Sequence, residues 1–403
     1  MERRELAALV VICGDPFSAP RHYLTSGAAI TSGLVMKKRG EAAVIFANPM
    51  ETEEAAKSGL RVVSTSDVGW PQMLKESQGD RTKAEILLWG KCLDVLGVPE
   101  GKVGIYGVGN LHVALALAEL LQVAYPHYQF AGEMGLTLFD EAYLTKDADE
   151  IARMQDVARK TNDAMQEALD AIRAARVQDD ALYKADGSPL TIGDVRRLVR
   201  RALLDRDLED AHMIFAQGRD AGFPHSRGED PQQLRLGQSI VFDLFPHELG
   251  GGYFHDMTRT WCIGYAPPEV QAAYDDVMEA FDVAVEVFRA GMEGAALQAA
   301  VEDYFESKGH ATPRSAPGSN EGYVHSLGHG LGLNIHERPS LSSMSKDSLK
   351  PGMVLTIEPG LYYPDRGFGV RIEDTMLIDN DGNLVSLTPF SKDLVIAVGN
   401  GAG

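Results

Sequence analysis

The sequence predicts a two-domain α/β chain whose second domain repeats one order of elements, helix, helix, strand, strand. Three observations lead there. The length of 403 residues exceeds what one ordinary core serves. Short apolar runs alternate with amphipathic stretches up to about residue 139. After residue 140 the same order of elements occurs twice. The domains are therefore expected at 1–139 and 140–403.

In the first domain, strand-like runs stand at Ala7 to Cys13, Ala42 to Phe46, Arg61 to Ser64 and Val103 to Tyr106. Helical stretches lie between them at about Glu51 to Ser58 and Thr82 to Leu96. Gly14-Asp15-Pro16 stops the first apolar run, so the start reads as a strand and turn rather than a signal peptide, which argues for the cytoplasm. Lys37 to Gly40 reads as a hairpin turn. Gly104, Gly107 and Gly109 precede a helix from about Asn110 to Gln122, but the dinucleotide spacing needs glycine at a position held by His112. A tight strand-to-helix turn is the better reading.

The second domain opens near Leu144. Asp147 with Glu150 makes a capping-box start, and Ile151, Met154, Ala158, Met165, Leu169 and Ile172 follow at helical spacing. A second helix starts at Thr191 with Asp194, and strands follow at Ser239 to Phe245 and Tyr253 to Ile263. The order then repeats: a helix from Pro267-Pro268 that Gly291 ends, another from about Ala295 to Lys308, and strands at Met353 to Glu358 and Gly369 to Ile378. A site between the two hairpins would draw on both halves.

Composition narrows the function. Hydrophobic residues at 44% and charged residues at 24% are ordinary for a soluble globular protein, and no apolar run is long enough to span a bilayer. A net charge of -20 repels nucleic-acid phosphates and anionic lipid. Cys13, Cys92 and Cys262 are odd in number and far apart, so they read as reduced, buried thiols rather than a disulfide framework or a zinc site.

The chemistry concentrates in His325 to Glu337, His-Ser-Leu-Gly-His-Gly-Leu-Gly-Leu-Asn-Ile-His-Glu. Imidazole serves both metal ligation and proton transfer near neutral pH, and the glycines flanking His329 let a backbone come close to a metal or substrate. Four acids interrupt otherwise apolar strands: Asp243, Asp256, Glu358 and Glu373. A buried carboxylate needs compensation. Arg259 and Arg371 are available as ion-pair partners, and cations are the other answer. With His329 the acids form a hard, oxygen-rich set suited to a pair of Mn(II), Co(II), Fe(II) or Zn(II) ions. Such a pair, about 3.5–4 Å apart, acidifies water for attack on a carbonyl.

In these contexts the five residues resemble the metal ligands of the pita-bread metallopeptidases, the group of methionine aminopeptidase, aminopeptidase P and prolidase. Asp-Met-Thr-Arg-Thr, Gly-His-Gly-Leu-Gly-Leu-Asn-Ile-His-Glu, Thr-Ile-Glu-Pro-Gly-Leu-Tyr and Gly-Val-Arg-Ile-Glu-Asp-Thr resemble its proline-specific branch over about residues 140–395. Residues 1–139, with Tyr23-Leu-Thr25, resemble more weakly the N-terminal domain of aminopeptidase P, prolidase and creatinase. The resemblance implies that Asp256 and Glu373 bridge two divalent metals, manganese first with cobalt, zinc or iron as alternatives. Asp243 would complete one site, and His329 with Glu358 the other. Glu358 would also accept a proton from the attacking water. His225, His325 and His336 would bind substrate and stabilise the oxyanion, and Arg371 would orient the bridging acids.

The implied activity is hydrolysis of the Xaa-Pro bond in small peptides with proline at the second position. A dipeptidase is preferred, because the chain is compact and Arg338 could reach a dipeptide's free carboxylate. Cleavage of longer peptides, as by aminopeptidase P, is the alternative. A creatinase-like amidinohydrolase or lyase and a non-catalytic peptide-binding module are remoter readings. A homodimer is implied. The spacing from Asp243 to Asp256 is two residues longer than in many prolidases, with the excess at Gly250-Gly251-Gly252.

Overall fold

Leu6–Cys13 (β1) buries almost every side chain on both faces, as the central strand of a covered sheet must. The structure, a computed structural model, describes residues 1–14 and 17–399, so Asp15 and Pro16 of the expected first turn lie outside the described residues. The chain forms two compact units, Met1–Glu141 and Ala142–Gly403.

In the first unit, Gly33–Lys38 (β2), Val44–Ala47 (β3), Arg61–Ser64 (β4), Gly101–Gly107 (β5) and Tyr128–Ala131 (β6) join β1 in the order β4-β3-β2-β1-β5-β6. β2 is antiparallel to β1 and β3, while β5 and β6 run parallel to β1. Arg81–Val95 (α1) presses Leu88, Trp89, Cys92 and Leu93 onto the sheet. Gly107 ends β5 at φ +120°, where an added Cβ would stand 2.9 Å from the Ile12 carbonyl oxygen. This is the tight turn expected before the next helix, Leu111–Ala124 (α2).

The second unit carries the repeat. Ala148–Arg173 (α3) and Ile192–Leu204 (α4) open on complete capping boxes, Asp147 with Glu150 and Thr191 with Asp194. Ile214–Gln217 (β7), Ser239–Leu244 (β8) and Met257–Ile263 (β9) form the first half's sheet. In the second half, Pro268–Val287 (α5) and Gly294–Ser307 (α6) precede His329–Gly330 (β10), Glu337–Ser340 (β11), Val354–Ile357 (β12), Gly360–Tyr363 (β13), Phe368–Arg371 (β14), Asp374–Ile378 (β15) and Leu384–Ser386 (β16). Val395–Ile396 (β17) returns to lie parallel to β9, giving the orders β7-β8-β9-β17 and β11-β10-β12-β15-β16, with β13-β14 as a separate hairpin.

Three expected elements differ. The strand expected from Tyr253 starts at Met257, because the backbone ahead of it turns elsewhere: Phe254 N–H donates to Gly332 O (2.8 Å) and His255 N–H to Pro246 O (3.1 Å). The strand expected over Gly369 to Ile378 is two strands with different partners. β14 pairs with β13 and β15 with β12, while Glu373 between them exchanges backbone hydrogen bonds with Thr258. The helix α5 ends at Val287 and not at Gly291, since Phe288 is already extended at ψ 135°.

Candidate metal centre and its histidine wall

Asp243 stands inside β8, paired across the ladder with Thr258 of β9, and Asp256 is the residue before β9. Glu358 follows β12 and Glu373 sits where the chain passes from β14 to β15. His329 opens β10. These positions place all five beside one cavity of about 380 Å³, lined also by His225, His325, His336 and Arg371. That volume suits a small ligand.

Within the cavity, one atom each from Asp256, His329 and Glu373 lie within 4.8 Å of one another. His329 Nε2 is 3.6 Å from both Asp256 Oδ2 and Glu358 Oε1. Its Nδ1 lies 3.0 Å from Gly330 O, an oxygen that only accepts, so the ring donates there and Nε2 carries its lone pair toward the carboxylates. Burial holds the His329 pKa down to about 4. A neutral nitrogen facing carboxylate oxygens leaves room for a cation between them.

The glycines beside His329 serve strand packing as well. A Cβ on Gly328 would stand 2.1 Å from Thr356 O, and one on Gly330 2.1 Å from Arg338 O. They let the backbone around His329 approach its neighbouring strands, and Gly328 also lines the cavity.

The acids are far from ordinary. Burial raises the carboxyl pKa of Asp256 and Glu373 well above the usual range, and neighbouring carboxylates add to it. Glu358 is pushed up to about 8, first by burial. Asp243 is raised by burial against the opposing charge of Arg371, whose Nη2 donates to Asp243 Oδ2 at 2.6 Å. Among the described residues, Asp243 Oδ1 and Asp256 Oδ1 are buried with no hydrogen-bond partner. Orphaned buried carboxylate oxygens call for a cation, and the five donors fit divalent metal ions.

The arginines divide unevenly. Arg371 meets Asp243 rather than the two acids expected to bridge, and it also donates from Nε to Thr258 Oγ1 (3.1 Å) and from Nη1 to Tyr362 Oη (2.9 Å). Arg259 pairs instead with Asp374 (2.9 Å). Arg338 does not converge on the site: its guanidinium is engaged by Asp347, and it is absent from the cavity wall. The reach toward a substrate carboxylate expected of it has no support in this geometry.

His225 and His336 are exposed at the cavity. His325 is held from both sides, Nδ1 donating to Ser326 O (2.7 Å) and Nε2 accepting from Tyr362 Oη (2.9 Å). No ring N–H of His325 is left for a substrate. Tyr362 is a residue the sequence reading passed over, although it stands in the quoted Glu-Pro-Gly-Leu-Tyr segment and its continuation. Nothing in spacing alone separates it from Tyr363 beside it.

A family profile described as metallopeptidase family M24 matches residues 152–380. An uncharacterized peptidase of Bacillus subtilis is 30% identical over 253 residues, 63% of this chain and 64% of that protein. The Xaa-Pro dipeptidase of Pyrococcus furiosus is 38% identical over 169 residues, 42% of this chain and 45% of that protein. The chain thus spans between about half and two-thirds of the length of such curated relatives. Among solved structures, the X-Pro aminopeptidase of Thermotoga maritima superposes with a TM-score of 0.77 at 21% identity, over 98% of this chain and 99% of that one. The prolidase of Pyrococcus furiosus superposes at 0.71 and 22%, over 97% and 98%. These likenesses give the two-domain fold.

Proposed function

The chain belongs to metallopeptidase family M24, and from that premise we propose that it hydrolyses the Xaa-Pro bond of small peptides, as a dipeptidase first. The observation that carries the reading is the pair of orphaned carboxylate oxygens, on Asp243 and Asp256, in a cavity that also holds His329, Glu358 and Glu373. Asp256 and Glu373 would be shared by two divalent ions, Asp243 would serve one, and His329 with Glu358 the other. Manganese is the first candidate; cobalt, zinc and iron suit the same donors.

A pair of dications, when bound, acidifies water and polarises the carbonyl to be attacked. The chain supplies the rest. Glu358, which burial pushes up to about 8 and so makes a stronger base than an ordinary carboxylate, would in its ionised form take the proton released in the attack and pass it to the leaving proline nitrogen. His225 and His336 present ring N–H groups at the cavity, where a developing oxyanion or a peptide carbonyl can be met. His325 acts as a neutral prop, fixed by Ser326 and Tyr362. Arg371 holds Asp243 in place.

Cleavage of longer peptides is the second reading. With Arg338 tied to Asp347, the choice rests on the identity to an Xaa-Pro dipeptidase. A series of Xaa-Pro, Xaa-Pro-Xaa and Xaa-Ala peptides, assayed with Mn(II) and after chelation, tests both. Brisk cleavage of the tripeptide would reverse the preference, and no cleavage of any proline peptide with Mn, Co, Zn or Fe would end the proposal.

We assign a homodimer as the working state. The helix α2 exposes Leu111 at 75% and Val123 at 82%, and Glu119 is its only formal charge. On a chain of net charge -20, an uncharged apolar face is where two copies meet without repulsion. The three cysteines are free and buried, which fits a reducing, cytoplasmic setting. No helix of the described residues is long and apolar enough to cross a membrane.

A further inference from the structure

The two halves of the catalytic unit meet along a short antiparallel seam whose centre is Thr258 opposite Glu373. Their backbones exchange both hydrogen bonds, Thr258 N–H to Glu373 O (3.3 Å) and Glu373 N–H to Thr258 O (3.1 Å). In a regular ladder the next hydrogen-bonded pairs would be Asp256 with Thr375 and Thr260 with Arg371. At both places a threonine hydroxyl stands in for the opposite backbone. Thr375 Oγ1 accepts from Asp256 N–H (3.2 Å) and donates to Asp256 O (2.7 Å). Thr260 Oγ1 accepts from Arg371 N–H (2.8 Å) and donates to Arg371 O (2.8 Å).

The two clamps mirror each other across the centre of the seam. Each hydroxyl uses its single donor and an acceptor lone pair on one residue of the opposite half. Thr258, Thr260 and Thr375 are all fully buried. Valine would suit strand geometry equally well, so the hydroxyl is the part of threonine that strand propensity does not require. Thr258 Oγ1 completes the pattern by donating to Glu373 Oε2 at 2.7 Å.

The clamped residues are the ones that matter to the cavity. Thr375 fixes the backbone of Asp256, whose carboxylate lies in the closest group of candidate ligands. Thr260 fixes the backbone of Arg371, whose guanidinium holds Asp243. We propose that Thr260 and Thr375 are positioning residues that set the spacing between the acids of the two halves, and so the affinity of the pocket for its two divalent ions. This rests on the dinuclear reading above.

The reading assigns the two threonines different effects. Loss of the Thr375 hydroxyl frees Asp256, an acid that both ions would share, so both binding events weaken. Loss of the Thr260 hydroxyl reaches the pocket through Arg371, which holds Asp243 directly and Glu373 only by way of Thr258, so the event served by Asp243 weakens most.

The test is calorimetric titration of the metal-free full chain with Mn(II) alone, on the natural protein and on Thr260→Val, Thr375→Val, Thr260→Ser and Thr375→Ser. Residues that hold a ligand in place change metal affinity about 10–100-fold. That loss is expected chiefly at one site in Thr260→Val and at both in Thr375→Val, with the serine variants near the natural protein. Two Mn(II) bound at natural affinity by either valine variant would overturn the proposal, as would serine variants as impaired as the valines. Amide hydrogen exchange of the metal-free proteins gives a second readout. Thr375→Val should speed exchange in the segment holding Asp256, and Thr260→Val in the segment holding Arg371. Unchanged exchange refutes the clamps even if the natural protein binds no Mn(II), a result that would instead sink the dinuclear reading.

Discussion

Removing the metal should make the protein's stability fall steeply as pH rises, and the size of that fall follows from the pocket. Glu358 moves from an ordinary 4.5 to about 8, first through burial. A carboxyl raised in this way keeps its proton in the folded chain after the unfolded chain has lost it. The folded state then binds more protons, and stability declines with pH. The contribution is complete below pH 4.5 and is lost as pH rises to about 8. At about 1.4 kcal/mol per pH unit of displacement, Glu358 alone withdraws about 5 kcal/mol over that range. Asp256 and Glu373 are raised well above their usual values and act in the same direction. The assay is urea denaturation between pH 6.5 and 8, with and without chelator, at fixed Mn(II) in the loaded samples. The metal-free curve should drop across the window while the loaded one stays level, and Mn(II) added at pH 7 should release protons into a weak buffer. A metal-free protein whose stability is flat or rising from pH 6.5 to 8, above the range in which the buried neutral His325 and His329 act in the opposite direction, would refute the account of these acids.

Other outcomes follow from the same geometry. Replacing Glu358 by Gln should lower turnover about 10²–10⁴-fold with circular dichroism unchanged; an unaltered rate would put the proton acceptor elsewhere. Arg371→Met leaves the buried Asp243 carboxylate without its partner and should cost about 3–5 kcal/mol in urea denaturation of the metal-free protein. Adding Asp243→Asn should recover part of that loss, and a single-variant loss near zero would mean that the pair contributes little. Tyr362→Phe removes the donor to His325 Nε2 and should cost about 1 kcal/mol, with a changed imidazole ¹⁵N signal for His325 while circular dichroism stays the same. An unchanged His325 spectrum would show that Ser326 alone fixes the ring.

Much of the fold was legible because its signals are local. The capping boxes at Asp147 and Thr191 formed as written, since a side chain that satisfies its own helix end needs no distant partner. The strand over Gly369 to Ile378 was not, because its break at Glu373 comes from a partner more than a hundred residues away, Thr258. The acids and His329 could be found from their clash with apolar surroundings, and they do share one cavity. Arg338 failed for the opposite reason: a charged residue near a histidine carries no mark of which acid it will meet, and Asp347 took it. Thr258, Thr260 and Thr375 escaped notice because threonine is at home in any strand. Only their period of two, on the same face as Asp256 and Glu373, could have marked them.

The ion-pair explanation of the acids, open from the sequence, is half true and fails in an informative way. Arg371 does meet Asp243, and that pair alone would be a satisfied structural bridge. Arg259, the other available cation, goes to Asp374, outside the cavity wall. One guanidinium therefore stands against four carboxylates, and Asp243 and Asp256 still keep an unpartnered oxygen each. Without a cation only protons can offset the remaining charge, and burial drives Asp256, Glu358 and Glu373 upward in pKa. Dications do the same work at neutral pH without protonating the ligands. The arginine thus fixes one acid while the others stay without an ion pair, and Thr375 and Thr258 hold Asp256 and Glu373 by hydrogen bonds.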